Sequence, residues 1–264
     1  MQRKQVRGIH LAAEFQGNGK ELIVLIHGVG ADKSSWKYQL PYFAELGYTV
    51  AAIDMRGTGD SDARDGSSAL LPISLTEFAL DVDACIHALG FERAHWVGNS
   101  MGGVIILEAL RLGLSSLDKI VLCDTFAYYP NRDVTLPRAA AALKEKSMQQ
   151  FAAERIPLVL RSDIDTPTLD EAIYAMARKD PEAYLASWQA TWSPDLRSIL
   201  PSVTNKTLVV CGSDDAITPV ALSEELANNI PGARLELIEG AGHISNLDRY
   251  EAFNRVLQDF IVNS

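Results

Sequence analysis

Short apolar runs recur along this chain and alternate with amphipathic patterns, and this alternation constrains the fold more than any other feature. Such runs cover residues 21–28, 48–55, 94–100, 119–124, 207–212 and 233–240. Runs this short and apolar predict strands that are buried on both faces of a sheet. Because helical patterns separate the first four runs, the sequence predicts an α/β fold with a mostly parallel sheet and helices on both faces.

Two parts of the chain depart from this alternation. The N-terminal segment predicts a hairpin at the sheet edge, with its turn in the Gly-Asn-Gly sequence at 17–19. Residues 126–200 contain helical patterns and no strand-like run, which indicates a helical cap over the sheet. We therefore predict one α/β domain whose core comprises 1–125 and 201–264, with 126–200 as the cap.

The charge of the chain and its cysteine content limit the kinds of binding partner and the cellular compartment that we expect for this protein. The formal net charge of −10 argues against general binding to nucleic acid or to an anionic membrane, although one or two local cations would suffice for a small anionic substrate. Cys85, Cys123 and Cys211 are too few and too scattered for a disulfide scaffold or a zinc motif. With neither a secretory leader nor a membrane-spanning run in this sequence, we expect a cytoplasmic protein.

The sequence Gly98-Asn99-Ser100-Met101-Gly102 matches the pattern G-x-S-x-G and lies between a predicted strand and a predicted helix. In that setting the pattern forms a nucleophile elbow, a tight turn that holds the serine hydroxyl exposed at the end of the strand. The alternative is a glycine-rich turn in which Ser100 only caps the helix. The pattern predicts that Ser100 is a nucleophile.

A nucleophilic serine needs a base, and the base needs an acid that orients it. His243 lies in a glycine-bracketed loop after the last predicted strand, and Asp215 follows the strand before it. The order serine, aspartate, histidine is the one expected of this arrangement, with each residue just past a strand end. We predict Ser100, Asp215 and His243 as the catalytic residues, with Asp214 and Asp124 as alternative acids.

Acyl transfer also requires hydrogen-bond donors for the oxyanion. The glycine-rich segment "HGVG" follows the first core strand, and one residue follows the nucleophile directly. The backbone N–H groups of Val29 and Met101 are therefore the predicted oxyanion donors. The sequence shows no cluster of metal ligands, and this chemistry needs neither a metal nor an organic cofactor.

Over nearly its whole length the chain resembles the α/β-hydrolase superfamily, from "LIVLIHGVGADKSSW" through "DMRGTGDSD" and "GNSMGG" to "GSDDAITP" and "GAGHISNLDRYEAFNRVLQDF". The tail is most similar to the 3-oxoadipate enol-lactonase group, which implies a carboxylic ester or lactone hydrolase. The "GNSMGG" elbow instead resembles the C–C bond hydrolases that act on meta-cleavage products, although Ile244, rather than tryptophan, follows the histidine. A cofactor-free haloperoxidase or perhydrolase activity is a third alternative.

Substrate selection is expected to depend on the cap, which is rich in aromatic residues. Trp188 and Trp192 lie one helical turn apart and face the same way, so we predict that they line the pocket, together with Tyr128. Candidate cations for an anionic substrate are Arg132, Arg138 and Arg161. The alternative from another functional class is a hydrolase-like receptor, which binds a small molecule and hydrolyses it slowly. The sequence predicts no oligomeric state.

Overall fold

The computed structural model describes residues 2–130, 132–161 and 163–263 of the 264-residue chain. Its centre is an eight-stranded sheet of order β1-β2-β4-β3-β5-β6-β7-β8. The strands are β1 (Gln2–Val6), β2 (Ile9–Gln16), β3 (Leu22–Ile26), β4 (Thr49–Ile53), β5 (Ala94–Asn99), β6 (Leu117–Cys123), β7 (Thr207–Gly212) and β8 (Arg234–Ile238). The strands from β3 to β8 pair in parallel with one another, whereas β2 pairs antiparallel with β1 and β4. The predicted fold class is confirmed.

The N-terminal hairpin is present, but its predicted turn is wrong. The hairpin joins β1 to β2 and turns at Arg7 and Gly8, both of which have positive φ. The glycines at 17 and 19 instead permit close backbone contact: an added Cβ would lie 2.0 Å from the carbonyl oxygen of Tyr48 at position 17 and 1.9 Å from that of Gly47 at position 19. The Gly-Asn-Gly sequence therefore allows this segment to pass close to the backbone at residues 47 and 48. The residue preferences of turns do not distinguish such a close approach from a hairpin turn.

Burial on both faces is confirmed for the central strands and is wrong for the last one. Strands β3, β5 and β7 are buried at every position. Strand β8 is the edge of the sheet and is mostly half-buried, with Leu237 47% exposed. An apolar run does not reveal whether its strand has one neighbour or two, so the pattern overstated the burial of β8.

Helices cover both faces of the sheet. They are α1 (Gln39–Glu45), α2 (Leu75–Ala88), α3 (Met101–Arg111), α4 (Arg132–Glu145), α5 (Met148–Arg155), α6 (Thr166–Ala177), α7 (Pro181–Trp192), α8 (Val220–Asn229), α9 (Ser245–Asp248) and α10 (Tyr250–Asn263). Side chains alternate across a strand, so Val24 packs in a cluster with helices α2 and α3 while Leu25 packs with α1 and α10. Among the described residues, no helix combines the length and the apolarity needed to cross a membrane.

The segment between β6 and β7 contains helices α4 to α7 and no sheet strand among its described residues. Polar contacts join this segment to the loop after β3. Arg178 pairs with Asp32 at 2.6 Å, and the buried Lys179 donates to the carbonyl oxygen of Ala31 at 2.8 Å. The segment therefore lies against the loop predicted to hold the oxyanion donor Val29. The division into core (1–125 and 201–264) and cap (126–200) stays a prediction.

Candidate active site

Ser100 lies at a sharp turn between β5, which ends at Asn99, and α3, which begins at Met101. Its φ of 52° and ψ of −113° are a strained conformation for a residue with a side chain. An added Cβ at Gly98 would lie 2.3 Å from the carbonyl carbon of Gly102, and one at Gly102 would lie 2.2 Å from the carbonyl oxygen of Ile26. Both glycines are therefore required by close packing of backbone, as in a nucleophile elbow.

The side chains of Ser100, His243 and Asp215 form a continuous hydrogen-bonded chain. Ser100 Oγ lies 3.0 Å from His243 Nε2, and His243 Nδ1 lies 2.9 Å from Asp215 Oδ2. All three residues are buried, and each follows the end of a strand. A hydroxyl, an imidazole and a carboxylate in this order have the geometry of a serine nucleophile with an oriented base.

The loop after β7 holds the Asp215 carboxylate in place. Oδ1 accepts from the N–H groups of Ile217 at 2.8 Å and Thr218 at 2.9 Å, while Oδ2 accepts from Thr218 Oγ1 at 2.7 Å. Burial alone would raise the pKa of Asp215, but the charge of His243 and these hydrogen bonds lower it below its usual range. Asp215 is therefore ionised at neutral pH, with Oδ2 directed at the imidazole.

Opposing effects also act on the base. Burial lowers the pKa of His243, whereas the charge and hydrogen bond of Asp215, and further the charge of Asp124, raise it; the net pKa lies above the usual 6.5. A raised pKa makes the imidazole a stronger proton acceptor once it is deprotonated. The hydrogen bond to Asp215 leaves Nε2 free to face Ser100.

The two alternative acids have other partners. Asp214 is exposed, and its carboxylate pairs with Arg161 of the segment between β6 and β7. Asp124 is fully buried and accepts hydrogen bonds from Asn99, Gly212 and Ser245. Of the three aspartates, Asp215 is the one that hydrogen-bonds to the imidazole of His243 in the described part of the chain.

His27 orients the loop that contains Val29, a role that the sequence did not reveal. Burial lowers the pKa of His27 to about 4, so the ring is neutral. Its Nε2 accepts from the N–H of Met55 at 3.1 Å, so Nδ1 carries the proton and donates to the carbonyl oxygen of Gly28 at 2.7 Å. The N–H and C=O of a trans peptide point in opposite directions, so the N–H of Val29 is directed away from His27.

Val29 also lines a cavity that reaches Ser100 and His243. Met101 is the first residue of α3, and the first N–H groups of a helix have no acceptor within it. The two predicted oxyanion donors thus belong to segments that meet at the nucleophile.

The cavity above Ser100 has a volume of about 60 Å³, several times the space that one water molecule needs. Its wall is mostly apolar and includes Trp188 and Trp192. Tyr128 lies outside this lining, because its backbone bridges to Asp195 and its ring lies under the guanidinium of Arg197 at 4.2 Å. Of the three aromatic residues predicted for substrate binding, the structure brings two together at the cavity and leaves Tyr128 apart.

Arg155 is a cation in the cavity wall that the sequence analysis missed. Its guanidinium carbon lies 5.7 Å from the ring centroid of Trp188, and no carboxylate among the described residues pairs with it. Lys37 also lines the cavity but pairs with Glu171 at 2.8 Å. Arg155 is half-buried at the end of α5, and no local sequence pattern distinguishes it from the chain's other arginines.

The arginines predicted to bind an anion lie elsewhere or are not described. Arg138 is exposed on α4, and Arg161 pairs with Asp163 and Asp214. The side chain of Arg132 lies outside the described residues.

Asp124, Cys211 and Asp215 bring ligand-type atoms within 4.8 Å of one another, which raises the question of a metal site. The donor set does not fit one. Burial raises the pKa of the Cys211 thiol to about 12, so it is protonated at neutral pH. Both carboxylates already accept hydrogen bonds from N–H and O–H groups, which a cation would have to displace.

The chain is similar to several hydrolases and to a receptor. The model of the Alpha/beta hydrolase family matches residues 23–256. A 2-hydroxy-6-oxononadienedioate/2-hydroxy-6-oxononatrienedioate hydrolase of Paraburkholderia phymatum is 30% identical over 263 residues, which cover 93% of this chain and 88% of that protein. The Karrikin insensitive 2 receptor IA of Petunia hybrida is 29% identical over 253 residues, 91% of this chain and 90% of the receptor. The enol-lactonase of Burkholderia xenovorans LB400 has a similar structure, with a TM-score of 0.90, 28% identity, and coverage of 99% of this chain and 100% of that one.

Proposed function

Because the chain belongs to the alpha/beta hydrolase family, we propose that it is a serine hydrolase that cleaves a small, partly apolar carboxylic ester or lactone through an acyl-enzyme on Ser100. The observation that carries this proposal is the hydrogen-bonded chain from Ser100 through His243 to Asp215, at the end of an apolar cavity. Within the same proposal the protein is cytoplasmic, acts on a small molecule rather than on nucleic acid or a membrane, and needs no metal or organic cofactor.

In the first half of the reaction, Ser100 Oγ attacks the carbonyl carbon of the substrate while His243 Nε2 accepts the hydroxyl proton. The new imidazolium is stabilised by Asp215, and the N–H groups of Val29 and Met101 stabilise the oxyanion. The bond between the carbonyl carbon and the leaving oxygen then breaks, and the imidazolium returns its proton to that oxygen. With a lactone substrate, the leaving hydroxyl stays attached to the acyl chain.

In the second half, His243 accepts a proton from a water molecule, whose oxygen attacks the acyl carbon. The second tetrahedral intermediate uses the same two N–H groups. It collapses when the bond to Ser100 Oγ breaks and the imidazolium protonates the serine. The product is a carboxylic acid, and the triad returns to its starting protonation state.

We further propose that the substrate carries a carboxylate. Arg155 lies in the wall of the cavity without an acidic partner among the described residues, so its charge is available to an anion. Such a local cation is needed in a protein whose formal net charge is −10. The relative from Paraburkholderia phymatum is named for a dioate, which is a dicarboxylate.

Two alternative functions follow from particular similarities. The name of the Paraburkholderia phymatum relative supports a C–C bond hydrolase of the meta-cleavage type, in which the leaving group is a carbon atom. The similarity to the Petunia hybrida receptor supports a small-molecule receptor on the same fold. An intact triad is compatible with both, so these alternatives differ from the main proposal in turnover and in the bond that is broken.

The experiment is multiple-turnover hydrolysis of a panel, with Ser100→Ala as the control. The panel contains p-nitrophenyl esters of rising chain length, several lactones and a vinylogous 1,5-diketone. One lactone and the diketone are each tested in a carboxylated and an uncharged version. Repeated turnover of esters or lactones that Ser100→Ala abolishes would support the proposal. Turnover of the diketone alone would identify a C–C hydrolase, and one slow turnover of every compound would favour the receptor.

A further inference from the structure

Asp124 is a buried carboxylate that the proposed mechanism does not use. It follows β6 directly, has a φ of 47° and is fully buried. In the described part of the chain it has no cation within ion-pair distance. A carboxylate in such a position costs free energy unless its hydrogen bonds are satisfied, and packing alone would favour an uncharged residue.

The hydrogen bonds of Asp124 connect the loops that carry the three triad residues. Oδ1 accepts from the N–H of Gly212, which precedes the Asp215 loop, at 2.9 Å. Oδ2 accepts from Asn99 Nδ2 at 3.0 Å, and from the N–H and the hydroxyl of Ser245 at 3.1 and 2.7 Å. Asn99 immediately precedes Ser100, and Ser245 is two residues after His243.

Asn99 strengthens this connection. Its Nδ2 also donates to the backbone carbonyl of His243 at 3.2 Å. One amide group therefore joins the Asp124 carboxylate to the main chain of the base, from the residue next to the nucleophile. Small movements of Asp124 would change the Ser100–His243 distance, on which proton transfer depends.

The titratable groups that face Asp124 are Cys123 on its own strand, Cys211 at the end of β7, Asp215 and His243. Burial raises the pKa of both thiols, so they are neutral near pH 7. Burial, together with the charge of Asp215, raises the pKa of Asp124, while the charge of protonated His243 and the hydrogen bonds that the carboxylate accepts lower it. The imidazolium and the Asp124 carboxylate therefore stabilise each other.

We propose that Asp124 is a positioning residue of this site: its carboxylate joins the loops of Ser100, Asp215 and His243 and adds a second negative charge near the imidazolium. Asp215 orients the ring by direct contact, whereas Asp124 acts through Asn99, Ser245 and its charge. The inference rests on the proposed function, since it requires His243 to be the base.

The test compares Asp124→Asn with Ser245→Ala. In Asp124→Asn the amide oxygen takes the place of Oδ2, where three donors converge, and the amide nitrogen faces the N–H of Gly212, which loses its acceptor. The variant thus keeps most of the hydrogen bonds and loses the charge. Ser245→Ala removes one hydrogen bond, from Ser245 Oγ, and leaves the charge in place.

The first measurement is an NMR titration of the His243 imidazole, which does not depend on turnover. We expect Asp124→Asn to lower the pKa of His243 by roughly half a unit to one unit, because a nearby negative charge is lost. The acidic limb of kcat/KM should shift to lower pH by the same amount, and kcat should fall by about tenfold with little change in KM. Ser245→Ala should lower kcat without this downward shift of the pKa.

Two results would overturn the inference. One is an unchanged or raised pKa of His243 in folded Asp124→Asn, and the other is an equal downward shift in Ser245→Ala. A loss of thermal stability in Asp124→Asn without a change in the titration would assign Asp124 a structural role only. If the wild-type protein fails to turn over any ester or lactone, the proposed function fails, whereas the titration still tests the charge of Asp124.

Discussion

Replacement of Asp215 by asparagine tests the site most sharply, because the structure specifies how the new amide would sit. The N–H groups of Ile217 and Thr218 both donate to Oδ1, so the amide oxygen of the new asparagine must occupy that position. The amide nitrogen then takes the place of Oδ2 and donates to His243 Nδ1. The imidazole would carry its proton on Nε2 and face Ser100 with a donor instead of an acceptor.

This change of tautomer sets the expected magnitude. In serine proteases with a Ser-His-Asp triad, replacement of the aspartate by asparagine produces the wrong tautomer and lowers kcat about 10⁴-fold, which corresponds to roughly 5 kcal/mol of transition-state stabilisation. We expect a loss of about 10³- to 10⁴-fold in Asp215→Asn, measured as kcat on the best substrate of the panel between about pH 6 and pH 9. The unfolding temperature of the variant, measured in parallel with that of the wild type, is the control for correct folding.

Asp214→Asn is the matched control, since it makes the same chemical change at the neighbouring position. Asp214 is exposed and pairs with Arg161, and exposed ion pairs contribute about 0–1 kcal/mol. Its replacement should change kcat by less than about threefold. If Asp214→Asn were the more damaging variant, or if both variants were nearly as active as the wild type, the reasoning from the Asp215–His243 hydrogen bond would be refuted.

Three further predictions concern the turn around Ser100, the cation Arg155 in the cavity wall and the aromatic residues of the cap. Gly102→Ala should lower the free energy of unfolding by about 1–3 kcal/mol in denaturant titrations, because its Cβ would lie 2.2 Å from a backbone oxygen; unchanged stability would contradict the packing argument. Arg155→Met should raise KM about tenfold or more for a carboxylated lactone but not for its uncharged analogue, and equal effects would exclude an anion site. Trp188→Ala should alter chain-length preference among the esters, whereas Tyr128→Ala, outside the cavity, should not.

The sequence predicted the architecture well because its signals are local. Continuous apolar runs identified the strands from β3 to β7, and the glycines around Ser100 identified the elbow, since both depend on neighbours within a few residues. Pairing partners are not local. The edge position of β8 and the turn of the N-terminal hairpin depend on which strands lie side by side, and for those features the sequence prediction was wrong.

The same limit applies at the candidate active site, where charged residues of one type have different partners. Asp214 and Asp215 are adjacent, yet one meets Arg161 and the other meets His243. Arg161 and Arg155 are six positions apart, yet the first is bound to aspartates and the second lines the cavity. His243 and Asp214 both lie far along the chain from the residues they meet, Asp215 and Arg161, so composition and spacing do not reveal these pairings. A position in the cavity wall without a carboxylate partner among the described residues is therefore the structural property that distinguishes the cation available to a substrate, and it is the reason that Arg155, rather than Arg161, is the residue to vary first.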